Sequence, residues 1–101
     1  MDRKMMAQIK QMQNQLVKAQ EELTTLTVEG SSGGGAVKVT MNGHRELRGL
    51  VIAPEAVDPD DVETLTEMIV AAFNDASKKA QDLSEKKLGG LTGGMSIPGL
   101  F

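Results

Sequence analysis

Few residues in this 101-residue chain have the type and spacing to do chemistry. Gly30-Ser31-Ser32-Gly33-Gly34-Gly35 carries glycines five apart, as a loop cradling phosphate with backbone N–H groups would. That motif needs Lys and then Ser or Thr, followed by a helix whose N-terminus holds the anion. Ala36 and Val37 follow instead and a strand pattern comes next, so the segment reads as a turn between strands. His44 could act as a base, yet no Ser, Cys or second His lies near it to form a nucleophile pair. It reads as an exposed turn residue. Glu55, Asp58, Asp60, Asp61 and Glu63 could gather round a cation, but they lack the Gly and closing Glu of a calcium loop. Helix capping accounts for them. With no cysteine, a disulfide framework, a thiolate metal site and a Cys nucleophile are excluded. A lone histidine cannot build a multi-histidine metal site. No catalytic constellation remains: no enzyme activity, cofactor, metal or small-molecule substrate is expected.

Charge is the remaining chemistry. The chain holds 11 Lys+Arg against 14 Asp+Glu, a formal net charge of −3. By position the balance is uneven. Residues 1–20 carry Arg3, Lys4, Lys10 and Lys18 against Asp2 alone. Residues 54–75 carry Glu55, Asp58, Asp60, Asp61, Glu63, Glu67 and Asp75 with no base. Residues 76–101 carry Lys78, Lys79, Lys86 and Lys87 against Asp82 and Glu85. Two basic ends thus flank an acidic middle. Only Phe73 and Phe101 are aromatic, which argues against gripping single strands by stacked bases.

The elements that must position these charges follow from periodicity. Met5, Ile9, Met12, Leu16, Ala19, Leu23 and Leu26 recur at alternating spacings of four and three, an apolar helical stripe uninterrupted by Gly or Pro. With Met5 at a d position of the heptad, Arg3 and Lys10 fall at b and Lys4 and Lys18 at c, all away from the seam. The spacing predicts a long helix over 2–26. Thr24 to Val28 is a β-branched run with strand character. Val37, Val39 and Met41 alternate with Lys38, Thr40 and Asn42, the period of a half-buried strand. Asn42-Gly43 predicts a type I′ hairpin turn. Leu47 to Ala53 continues as a third strand, in which Leu47, Leu50 and Ile52 share a face only if Gly49 marks a bulge. Pro54 stops it. Asp58 then reads as N-cap and Pro59 as first residue of a second helix, whose stripe runs Val62, Leu65, Ile69, Ala72 or Phe73, Ala76, Ala80, Leu83 and which Gly89-Gly90 should end. The expected architecture is α+β: long N-terminal helix, three-stranded antiparallel meander, long C-terminal helix. Residues 1–90 form the single domain, and 91–101 a flexible Gly/Pro-containing tail.

If both stripes pack together, the helices run antiparallel and project on the order of 35–45 Å. The two basic segments would then meet at a distal tip. No window approaches the apolar length of a membrane span, and the Gln- and Lys-rich start is not a signal peptide, so a cytoplasmic protein without membrane contact is expected.

Gln11-Met12-Gln13 with Gln20-Glu21-Glu22-Leu23, Val28-Glu29-Gly30 through Gly33-Gly34-Gly35-Ala36-Val37-Lys38-Val39, Ile52-Ala53-Pro54-Glu55, Ala71-Ala72-Phe73-Asn74-Asp75-Ala76 and Pro98-Gly99 together resemble the YbaB/EbfC family of bacterial nucleoid-associated proteins. Ala53 departs from the acid usual before the proline in that family. The resemblance implies a tweezer-like homodimer that binds double-stranded DNA in the nucleoid, with an architectural or gene-regulatory role and with its helices as arms. The charge pattern adds the candidate DNA-binding residues Arg3, Lys4, Lys10, Lys78, Lys79, Lys86 and Lys87. A rival reading is a coiled-coil scaffold or holdase chaperone that presents its Met-rich seam to apolar clients.

Overall fold

Residues 2–91 are described by a computed structural model of the chain. The order is α1 (Arg3–Thr25), β1 (Thr27–Ser32), β2 (Val37–Asn42), β3 (Leu47–Ile52) and α2 (Val62–Leu91), with short 3-10 turns at Gly33–Gly35 and Pro54–Ala56. The α+β architecture expected from periodicity is the one observed. The strands lie in the order β1-β2-β3, both pairs antiparallel. Asp2 starts α1, its carboxylate accepting the Met5 N–H at 2.7 Å.

The inner face of the sheet presents Val37, Val39 and Met41, all but fully buried, to Ala72, Ala76 and Ala80 of α2. Alanines on the helix bring its backbone close to the sheet. Gly30 makes this possible: a Cβ there would run into the backbone of Ala72 and Ala76. The glycine expected to open a turn is thus a contact residue inside β1, and the strand runs on to Ser32. The turn itself is Gly33–Gly35, where positive φ angles of 60°, 68° and 95° suit glycine.

The register shift expected at Gly49 is present. Thr40 pairs with Gly49 and Met41 with Leu47, so Arg48 is the extra residue of a bulge. Two expectations are corrected. The α2 cap is Asp61, not Asp58: its carboxylate accepts from the Thr64 N–H and hydroxyl, whereas Asp58 and Pro59 form the turn before it. These two bonds from Thr64 also hold the Asp61 carboxyl below its ordinary pKa. And α2 continues through Gly89-Gly90 to Leu91. The expected tail beyond it lies outside the described residues.

The helices are antiparallel, but they pack over a short stretch. Ala19 and Leu23 of α1 meet Leu88, with Leu83 and Leu91 alongside. The reason is that α2 lays its stripe on the sheet from Leu65 to Ala80, which leaves only its last turns for α1. The first part of α1 therefore projects beyond α2, and the molecule is 70 Å long but 22 by 17 Å across.

Candidate nucleic-acid interface

The projecting part of α1 is held at its base by the β2–β3 turn. The last carbonyls of a helix lack intrahelical donors and need partners. Gly43 donates its N–H to Leu23 O at 2.8 Å, and the Asn42 amide donates to Thr24 O at 3.2 Å. The His44 ring, through Nε2, donates to Gln20 O at 2.9 Å. Asn42 is fully buried and uses its whole side chain. Its amide also donates to Glu46 Oε1, and its oxygen accepts from the N–H groups of His44 and Glu46. The turn is consequently not the type I′ turn expected from Asn42-Gly43. Three residues separate Asn42 and Glu46, whose backbones bond at 3.0 Å, and Arg45 takes a left-handed φ of 62°. His44 thus also ties the turn to the last turns of the arm. Sequence patterning missed the positioning role of Asn42 and His44, because only the fold brings the turn under the end of α1.

The seven candidate bases do not collect at one tip. Arg3, Lys4 and Lys10 lie on the exposed outer length of α1. Lys87 sits opposite Glu22, forming a 2.6 Å ion pair that clamps α2 to α1 and holds the Glu22 carboxyl below its ordinary pKa. With Gln15, Lys18, Ala19, Glu22 and Leu91 it lines a shallow notch between the helices. Arg3 and Lys4 are about 20 Å farther out than Lys18, at 1.5 Å per helical residue. Lys79 is at the level of the sheet. It donates to Glu29 O at 3.0 Å and pairs with Asp75 at 3.3 Å. Lys78 and Lys86 are exposed on α2. Five candidates (Arg3, Lys4, Lys10, Lys78 and Lys86) have no ion pair among the described residues, whereas Lys79 and Lys87 are engaged within the chain. Lys18, left out of the candidates, stands in the notch beside Lys87.

The long axis separates the charges. Met68 and Ser32 mark the sheet end remote from α1, where the Ser32 hydroxyl donates to Met68 O at 2.5 Å. The acids from Glu55 to Glu67 cluster around that end, and the exposed bases of α1 occupy the opposite one. No group of metal-ligating side chains occurs among the described residues, and no described helix is long and apolar enough to cross a membrane.

Residues 1–95 match the sequence profile of the YbaB/EbfC DNA-binding family. The chain belongs to that family. It is 59% identical over 90 residues to a nucleoid-associated protein of Roseiflexus castenholzii, covering 89% of both chains. It is 54% identical over 98 residues to one from Pelotomaculum thermopropionicum, covering 97% of this chain and 93% of that one. The fold is similar to the crystal structure of an uncharacterized Helicobacter pylori protein, with a TM-score of 0.76 at 24% identity, covering 91% and 98% of the two chains. For this YbaB/EbfC member, the candidate contact surface is the arm: a capped, projecting helix whose bases face away from its apolar seam.

Proposed function

We propose that the protein binds double-stranded DNA as a homodimer in the nucleoid, with an architectural or gene-regulatory role, the backs of its arms lying against phosphates. The observation that carries this reading is the arm itself: α1 projects past α2 with Arg3, Lys4 and Lys10 exposed and without an ion pair among the described residues, at the end of the molecule away from the acids. A straight helix bearing lysines and arginine without stacking aromatics suits backbone contact to a duplex more than base reading. Counterion release then supplies much of the affinity.

The homodimer rests on a second feature. Leu47 and Leu50 share the inner face of the sheet with Met41 and Val39, yet are 53% and 45% exposed, because α2 covers β1 and β2 and leaves most of β3 bare. Phe73, 44% exposed, is on the flank of α2 opposite Asp75 and Lys79, and so toward β3. This apolar ledge beside a strand edge that no other strand pairs among the described residues fits a second copy of the chain. Two copies related by a two-fold axis would carry two arms.

The test is a duplex mobility-shift titration in salt. With about four phosphates contacted, affinity should fall about 100-fold between 50 and 200 mM salt. Arg3→Glu, Lys4→Glu and Lys10→Glu together should remove most of it. Affinity that ignores both salt and these substitutions overturns the reading. The scaffold alternative draws support from the exposure of Met5, Met6 and Met12. It requires instead that replacing those methionines with Gln abolish client capture and leave DNA affinity untouched.

A further inference from the structure

Every residue from Asp2 to Lys18 is exposed, so burial contributes little to holding this part of α1. Its helical order rests on what the sequence supplies. From Arg3 to Lys18 all but Ile9, Asn14 and Val17 are strong helix formers, and the Asp2 carboxylate caps the start. The turns at Ala19 and Leu23, fixed against Leu88, serve as the nucleus. Outward from there each residue joins the helix with an equilibrium constant of about 1–1.6. A helix propagated so weakly responds to small changes in propensity.

Three methionines stand on this segment. Met5, Met6 and Met12 are 52%, 59% and 56% exposed. Met41 is fully buried, and Met68 packs against the core with its sulfur beside Gly33. A peroxide that reaches a thioether converts it to the sulfoxide. The sulfur lone pair attacks one peroxide oxygen, the O–O bond breaks, and the other oxygen leaves as water with the proton of the first. Sulfur is oxidised by two electrons and the peroxide is reduced. No cysteine competes for the oxidant. The new oxygen is polar and accepts hydrogen bonds from nearby backbone N–H groups, the competition that makes Asn and Asp poor helix formers. A roughly two- to threefold loss of helical weight at each site compounds to about tenfold over three.

We propose that Met5, Met6 and Met12 are oxidation sites through which peroxides reversibly unwind the arm. The sites and the unwinding stand on the arm alone. A loss of DNA affinity through misplaced Arg3, Lys4 and Lys10 rests in addition on the DNA-binding reading.

The test is brief hydrogen peroxide treatment of the full chain. Peptide mass mapping should find sulfoxides at Met5, Met6 and Met12 forming about tenfold faster than at Met41 and Met68. Amide exchange over residues 7–16 should then quicken several-fold while β1–β3 stay as before, and methionine sulfoxide reductases should restore it. Met5→Leu, Met6→Leu and Met12→Leu together keep helix propensity and remove the sulfurs, with Met1 and Met95 still present. This variant should show no quickening on the same treatment. Comparable oxidation rates at Met41 overturn the proposal, as do unchanged exchange in arms carrying all three sulfoxides and equal loosening of the leucine variant. Duplex affinity of the oxidised parent should fall about tenfold, in step with the lost helix. An arm that exchanges faster yet binds duplex as before overturns the DNA reading and upholds the oxidation sites.

Discussion

The two edges of the sheet are treated in opposite ways. At β1 the outward backbone groups are met by α2: Asp75 accepts the Ser31 N–H at 3.1 Å and Lys79 donates to Glu29 O. Gly30 lets the helix come close enough for both. At β3 no described helix packs over the strand, and Leu47, Leu50 and Val51 stand exposed along it. An open edge with apolar side chains is a template for pairing with another chain, and proteins ordinarily block it. Here one edge is blocked by side chains of the chain itself and the other is left open. The same helix decides both, since by lying over β1 and β2 it cannot also lie over β3.

Breaking the sealed edge should have the largest effect. Gly30→Ala puts a methyl into the backbone of Ala72 and Ala76, and should cost about 3 kcal/mol, read as a lower midpoint in chemical denaturation. A variant as stable as the parent would show that α2 does not depend on this close approach. At the open edge, the proposed homodimer requires Leu50→Glu to weaken self-association about 100-fold, the loss expected from a buried interface residue. Sedimentation would show monomers while circular dichroism stays that of a folded chain. Dimers of unchanged strength would place the interface elsewhere.

Asp75→Ala and Lys79→Ala probe the seal more gently, because both side chains are partly solvated. Exchange of the Ser31 amide should quicken a few-fold in the first variant and less in the second, since Asp75 is the direct acceptor. The smallest effect is that of acid. The Ser31 N–H, and then Lys79, hold the Asp75 carboxyl below its ordinary value of 3.8. A lowered folded-state pKa contributes stability that is complete above that value and lost as pH falls through the lowered one. Protection of β1 should therefore be flat from pH 7 to about 5 and decline below 3.8, and Asp75→Asn should flatten that decline. Loss of protection near neutrality would contradict the carboxylate as the cause.

Local patterns identified much of this. The four-three spacing from Met5 to Leu26 and the alternation from Val37 to Met41 report single elements, and each is observed. The bulge could be read because three leucine and isoleucine positions demanded one face. Gly30 misled because a glycine inside a strand and a glycine opening a turn look alike until a helix is laid across it. Asn42 misled likewise: the pair Asn42-Gly43 favours a two-residue turn in isolation, but the end of α1 supplies carbonyls that draw a longer one. The bases were visible as charges; their separation along the arm was not.

The sequence alone therefore determined the element types, the antiparallel meander, the segregation of charge and the absence of a thiol or multi-histidine site, because these depend on neighbours a few residues apart. Only the tertiary structure decided that α2 uses most of its stripe on β1 and β2. From that one packing choice follow the short α1–α2 contact, the projecting arm, the engaged Lys79 and Lys87 and the bare β3 edge. An apolar face specifies that it must be covered; which surface covers it is settled by the competition among all the faces of the folded chain.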